Sequence, residues 1–94
     1  MLLQGGHIMK KVAIERDLSA IGDHLAENGL QVDRLDMTDM TLERLQNYGA
    51  LIISGQSTNF MGMEDIKANI PVIEARGRSA EQITSMVKNY LELQ

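Results

Sequence analysis

The chain has 94 residues, 44% of them apolar and 23% charged, and carries a net charge of −4. Those values suit one small soluble domain, and the acidic balance argues against bulk electrostatic attachment to nucleic acid or an anionic membrane, each of which needs a basic face. There is no cysteine, which excludes disulfides, thiolate catalysis, zinc–thiolate sites and iron–sulfur clusters.

Residues 1–8 read as a leader outside the fold. Met9 followed by Lys10 and Lys11 looks like a natural start, so the expected domain is 9–94. No apolar run approaches the roughly 20 residues of a membrane span, and a domain without cross-links suits the cytoplasm. Val12-Ala13-Ile14 is a short continuous apolar run, the pattern of a strand buried on both faces of a parallel sheet. It ends at Glu15-Arg16-Asp17. A helix follows, with Asp17 or Ser19 as N-cap, Leu18, Ile21, Leu25 and Ala26 at helical spacing, and Asn28-Gly29 as its stop. Gly22 inside it implies close packing on the sheet.

Leu30 to Leu35 alternates apolar and polar with period two, which predicts a half-exposed strand at a sheet edge. Asp36 to Asp39 is turn-like. Thr41 can cap a short helix with Leu42, Leu45 and Tyr48, closed by Gly49. Ala50-Leu51-Ile52-Ile53 is the most apolar strand and belongs at the centre. After the loop Ser54–Met63, Glu64–Ala68 suggests a helical turn, and Pro71 opens a last strand, Val72–Ala75. Arg76-Gly77-Arg78 is a turn. Ser79 with Gln82 forms a capping box ahead of a helix whose stripe is Ile83, Met86, Val87, Tyr90 and Leu91.

Strands alternating with helices predict an α/β fold: a three-layer α/β/α sandwich on a four-stranded parallel sheet. Right-handed crossovers favour strand order 2-1-3-4, half of a flavodoxin-like, Rossmann-like fold. The winding reverses between strands 1 and 3, and ligands of such sheets bind there, outside the carboxyl ends of the strands. Glu15–Asp17, Ser54–Met63 and the Arg76–Ser79 turn meet on that rim.

The stretch Ile52-Ile53-Ser54-Gly55-Gln56-Ser57-Thr58-Asn59-Phe60-Met61-Gly62 resembles the signature of the YkuS-like family of small uncharacterised bacterial proteins. Val12–Glu15 followed by Leu18 resembles the family's opening strand, and Pro71–Ala75 with the following turn and helix resembles its end. The resemblance spans Met9 to the C-terminus and implies a bacterial cytoplasmic protein, with no activity attached. Position 57 departs from the pattern: the family often carries an acidic residue after the glutamine, and Ser57 stands here, which weakens any metal site in the loop.

The loop concentrates hydrogen-bonding side chains. Ser54, Gln56, Ser57, Thr58 and Asn59 can donate and accept, while Gly55 and Gly62 admit close backbone approach. One reading is a pocket for a small polar ligand, completed by Glu15 and by Arg76 or Arg78 from neighbouring strand ends. The competing reading is that these side chains satisfy their own loop backbone. Phe60, Met61 and Met63 either fold back on the sheet or stand exposed as an interface, for which a homodimer is the simplest partner. Such a dimer would help a chain this short, which buries only roughly 60–65% of its unfolded surface.

Catalytic signatures are sparse. No phosphate-binding loop and no G-x-G-x-x-G fingerprint occurs, so no cofactor is expected. Arg76 and Arg78 precede a helix, a natural anion position, but Glu15 and Asp17 would repel an anion there. His7 lies in the leader and His24 on the first helix. Asp33, Asp36 and Asp39 recur at a spacing that strand and turn geometry would scatter, so no metal is expected. The leading expectation is a non-enzymatic binding or regulatory module. The alternative is a small enzyme using Glu15 as acid or base, with the loop as oxyanion donor, on a phosphorylated or amide substrate.

Overall fold

The computed structural model describes residues 11–55 and 63–92. Four strands, β1 (Lys11–Glu15), β2 (Val32–Leu35), β3 (Tyr48–Ile53) and β4 (Val72–Glu74), form one parallel sheet in the order β2-β1-β3-β4. This is the expected α/β architecture. The helices are α1 (Ser19–Glu27), α2 (Leu42–Leu45), α3 (Met63–Asn69) and α4 (Ala80–Glu92).

Two cores explain why the central strands are apolar throughout. Successive side chains of a strand point to opposite faces, and here each face is covered. Val12, Ile14, Ile52 and Ile73 pack with Leu25 of α1 and with Ile83 and Val87 of α4. Ala13, Leu51 and Ile53 pack with Leu45 of α2 and with Met63 and Ile66 of α3. From Ala50 to Ile53 every residue of β3 is fully buried. In β2, by contrast, Val32, Asp33 and Arg34 are half-buried and only Leu35 is buried, as an edge strand requires.

Local signals account for most boundaries. Helix α1 ends in a Schellman motif: Gly29 sits at φ 86, its N–H donates to Ala26 O at 3.0 Å, and Leu30 N–H donates to Leu25 O at 3.2 Å. The Ser79 capping box is complete, with Gln82 N–H donating to Ser79 Oγ at 3.1 Å and Ser79 N–H to Gln82 Oε1 at 2.9 Å. Thr41 Oγ1 accepts from Arg44 N–H at 3.3 Å and caps α2.

Several boundaries depart from expectation. Neither Asp17 nor Ser19 caps α1. A 3-10 turn, Arg16–Leu18, leads into it, and the position before the helix is Leu18, without a side-chain cap bond. Gly49 does not close α2. It lies inside β3, where the register against β1 shifts between Lys11 and Val12, and Tyr48 is the strand's first residue. The residues after the loop make a full helix, α3, rather than one turn. Gly22 does pack closely on the sheet, against a side chain of β2: a Cβ there would lie 3.0 Å from Arg34 Nη2, and that guanidinium reaches across to Asp23 Oδ1 of α1 at 2.6 Å.

A Cβ on Gly29 would meet nothing within 4 Å, so replacing it tests the backbone alone. Gly29→Ala is expected to lower stability by roughly 1–2 kcal/mol, the cost of left-handed backbone for an L-residue, read as a reduced urea midpoint with unchanged slope.

Candidate functional site

Parallel pairing brings all four carboxyl ends to one rim. Glu15 ends β1, Ser54 follows β3, and Arg76 follows β4 after Ala75 N–H donates to Ile53 O at 2.8 Å. Together they line an open crevice of about 410 Å³. Its polar side carries Glu15, Asp17, Ser54 and Arg76, and its apolar wall is made by Leu18, Ile21 and Ala75. The location is the junction between β1 and β3, where the winding of the sheet reverses.

Glu15 is the best-anchored polar group of the site. It is only 6% exposed, and a buried carboxylate must be hydrogen-bonded to be tolerated. Ser54 supplies the bonds: its Oγ lies 3.0 Å from Glu15 Oε2 and 3.3 Å from Oε1, and its N–H donates to Oε1 at 3.4 Å. Arg76 lies over Gly55. A Cβ at position 55 would stand 2.5 Å from Arg76 Nε and 2.8 Å from its Cζ, so only glycine allows the guanidinium this placement. Among the described residues, neither Arg76 nor Asp17 has a side-chain hydrogen bond or ion pair.

The other candidates distribute as follows. Arg78 turns away from the crevice and donates through Nη1 to Glu74 O at 3.1 Å, closing the turn in which Gly77 sits at φ 77. Met63 is 3% exposed and packs in the core beneath α3, so it belongs to the interior and not to a surface. Gln56, Ser57, Thr58, Asn59, Phe60, Met61 and Gly62 lie outside the described residues, as do His7 and the expected leader, 1–8. His24 does not line the crevice. Asp33, Asp36 and Asp39 part company, facing Lys11, Arg16 and Arg44 respectively. Among the described residues no group of three or more acids and histidines could hold a metal.

The apolar wall was not visible as part of a site in the sequence. Leu18 and Ile21 carry the helical spacing of core residues, and both do pack partly against the first core. Their remaining exposure faces the rim because the 3-10 turn sets α1 directly behind the end of β1.

At the opposite, amino-terminal end of the sheet, Tyr48 Oη donates to Asp33 Oδ2 at 2.7 Å, and Lys11 Nζ lies 3.7 Å from the same oxygen. Burial, then the hydrogen bond to Asp33 and its charge, push the Tyr48 phenol up to about 12, against an opposing effect of Arg44.

The model of an uncharacterised protein family, UPF0180, matches residues 10–90. A UPF0180 protein of Clostridium acetobutylicum is 28% identical over 81 residues, covering 85% of this chain and 94% of its own length. One from Bacillus velezensis is 32% identical over 79 residues, covering 84% and 93%. UPF0180 protein YkuS of Bacillus subtilis is 30% identical over 83 residues, covering 88% and 98%. No solved structure matches the chain.

Two outcomes follow from this geometry. Gly55→Ala is expected to move the Arg76 guanidinium while changing stability by less than about 0.5 kcal/mol, because the yielding group is the end of an exposed side chain; the Arg76 Nε resonance and the urea midpoint report the two effects. A phenol held above its unfolded value of about 10 stabilises the fold while it stays protonated in both states. Stability is therefore expected to fall as pH rises from about 10 to about 12, and Tyr48→Phe should flatten that part of the urea-midpoint profile.

Proposed function

We propose that this chain, which belongs to the uncharacterised protein family UPF0180, is a small binding or regulatory module that recognises a small polar ligand in the crevice at the carboxyl ends of β1 and β3. The observation that carries the reading is the Glu15 carboxylate, buried at 6% exposure and hydrogen-bonded by Ser54, beside an open crevice with one apolar wall. A fixed polar group beside an apolar surface orients and holds a small molecule. The segment 56–62 joins the reading through Gln56, Ser57 and Asn59, whose side chains would add donors and acceptors. Its aromatic and thioether residues, Phe60 and Met61, suit a homodimer contact, and the cytoplasm is the setting.

A second reading, a small enzyme with Glu15 as acid or base, is favoured by one distance: Ser54 Oγ stands 3.0 Å from Glu15 Oε2 within a concave site. Against it, no histidine lines the crevice among the described residues, and two carboxylates there repel a phosphorylated substrate. The binding reading is the stronger.

A library of polar metabolites screened by thermal shift and by amide NMR decides between them. At least one compound is expected to raise the melting temperature of the wild type and to shift the amides of Glu15, Ser54 and Arg76. Glu15→Gln, isosteric and uncharged, should weaken that compound by about tenfold or more, and Gln56→Ala with Asn59→Ala should weaken it further. No compound acting at the crevice, or effects equal in wild type and variants, would end the reading. Turnover of an amide or phosphoester substrate that disappears in Glu15→Gln would establish the enzyme instead. Light scattering measures the dimer, expected at twice the mass of the chain.

A further inference from the structure

The charges of the crevice fall into two kinds by what they touch. Glu15 is hydrogen-bonded to Ser54. Asp17 and Arg76 are exposed and, among the described residues, without a side-chain hydrogen bond or ion pair, although both line the same crevice. Four other pairs of opposite charges on the described surface do meet: Lys11 with Asp33, Arg16 with Asp36, Arg34 with Asp23 and Arg44 with Asp39. Asp17 follows Arg16 directly, yet Arg16 turns to Asp36 at 3.3 Å and leaves Asp17 to the crevice. Gly55 leaves the guanidinium of Arg76 the room it takes at the crevice, since any side chain at position 55 would occupy that space.

These observations restrict the ligand, given that the crevice is a ligand site as proposed above. An anion alone meets two carboxylates, Glu15 and Asp17. A cation alone satisfies them and leaves the guanidinium facing like charge. Both sets of groups are satisfied by one molecule that carries an ammonium and a carboxylate together. The apolar wall of Leu18, Ile21 and Ala75 then has a chemical counterpart in a short hydrocarbon side chain, and the volume of about 410 Å³ sits at the small end of ligand pockets. We infer that the crevice takes a free amino acid with an aliphatic side chain, its ammonium against Glu15 and Asp17 and its carboxylate against the Arg76 guanidinium. A guanidinium is the donor best matched to a carboxylate, through two parallel N–H bonds.

A matched trio tests this with the full chain. L-norvaline carries both charges, n-butylamine is the same skeleton without the carboxylate, and pentanoate is the same skeleton without the ammonium. Titration followed by amide NMR at Glu15, Asp17, Ser54 and Arg76 is expected to give norvaline affinity about tenfold or more above either partner compound. Arg76→Gln should erase the preference over butylamine, with Arg76→Lys retaining part of it, and Asp17→Asn should reduce the preference over pentanoate. Both positions are exposed, so both variants are expected to fold. Butylamine or pentanoate binding as tightly as norvaline overturns the inference and leaves the ligand crevice standing. Silence of all three compounds at these amides overturns the inference as well, and the metabolite library then decides separately whether the crevice binds any polar ligand.

Discussion

Both faces of a short parallel sheet must be covered, and the rest of the molecule follows from that requirement. Parallel strands have no tight hairpins, so each return crosses a face of the sheet, and with 94 residues there is room for one short helix per crossing. Helices α1 and α4 cover one face and α2 and α3 the other, each through a few apolar residues. The strands between them have no solvent-facing side, which is why Ala50 to Ile53 is apolar without alternation. The same requirement leaves the strand ends as the only part of the central strands where polar groups can gather. A site at the carboxyl rim is thus a consequence of how the core is built.

Glu15 shows the transition from core to rim within one residue. Val12, Ala13 and Ile14 are fully buried, and Glu15, next in the strand, is still 6% exposed. A charged group at that depth is costly unless it is solvated by the protein, and the backbone and hydroxyl of Ser54 take that role from the neighbouring strand end. The bond joins residues 39 apart in sequence, so it also ties the end of β1 to the end of β3 across the point where the winding reverses. The proposed ligand site and the fold therefore share a contact here, whereas the four surface ion pairs among the described residues, largely exposed, contribute little to folding.

What could be read from sequence divides along the range of the interactions involved. Strand order was legible because β1 and β3 are continuously apolar and β2 alternates. The Schellman end at Gly29 and the capping box at Ser79 were legible because each is set within six residues. Gly49 misled because the same residue type serves a helix stop and a shift of strand register, and only pairing with β1 decides which. The tight space at Gly22 comes from Arg34 on another element. Of the site, Glu15, Ser54, Gly55 and Arg76 were named from their places at strand ends, and the topology does bring them together. Arg76 and Arg78 could not be told apart, since their directions depend on the backbone at Gly77, and Leu18 and Ile21 looked like core because they are partly core.

The two ends of the sheet make the argument for a ligand sharper than composition allows. Each end carries acids and a base. At the amino-terminal end they are matched internally: Lys11, Asp33 and Tyr48 meet at distances of 3.7 and 2.7 Å, and the Tyr48 hydroxyl spends its proton on Asp33. Such a cluster has little left to offer a small molecule. At the carboxyl end Glu15 is matched to Ser54, but Asp17 and Arg76, of opposite sign and lining one crevice, are matched to nothing among the described residues. The 3-10 turn places Asp17 just past the end of β1, and Gly55 leaves the room that the Arg76 guanidinium occupies. Charges of both signs without partners among the described residues, beside an apolar wall, are what the proposed ligand rests on, and they follow from how the fold arranges this rim rather than from residue content.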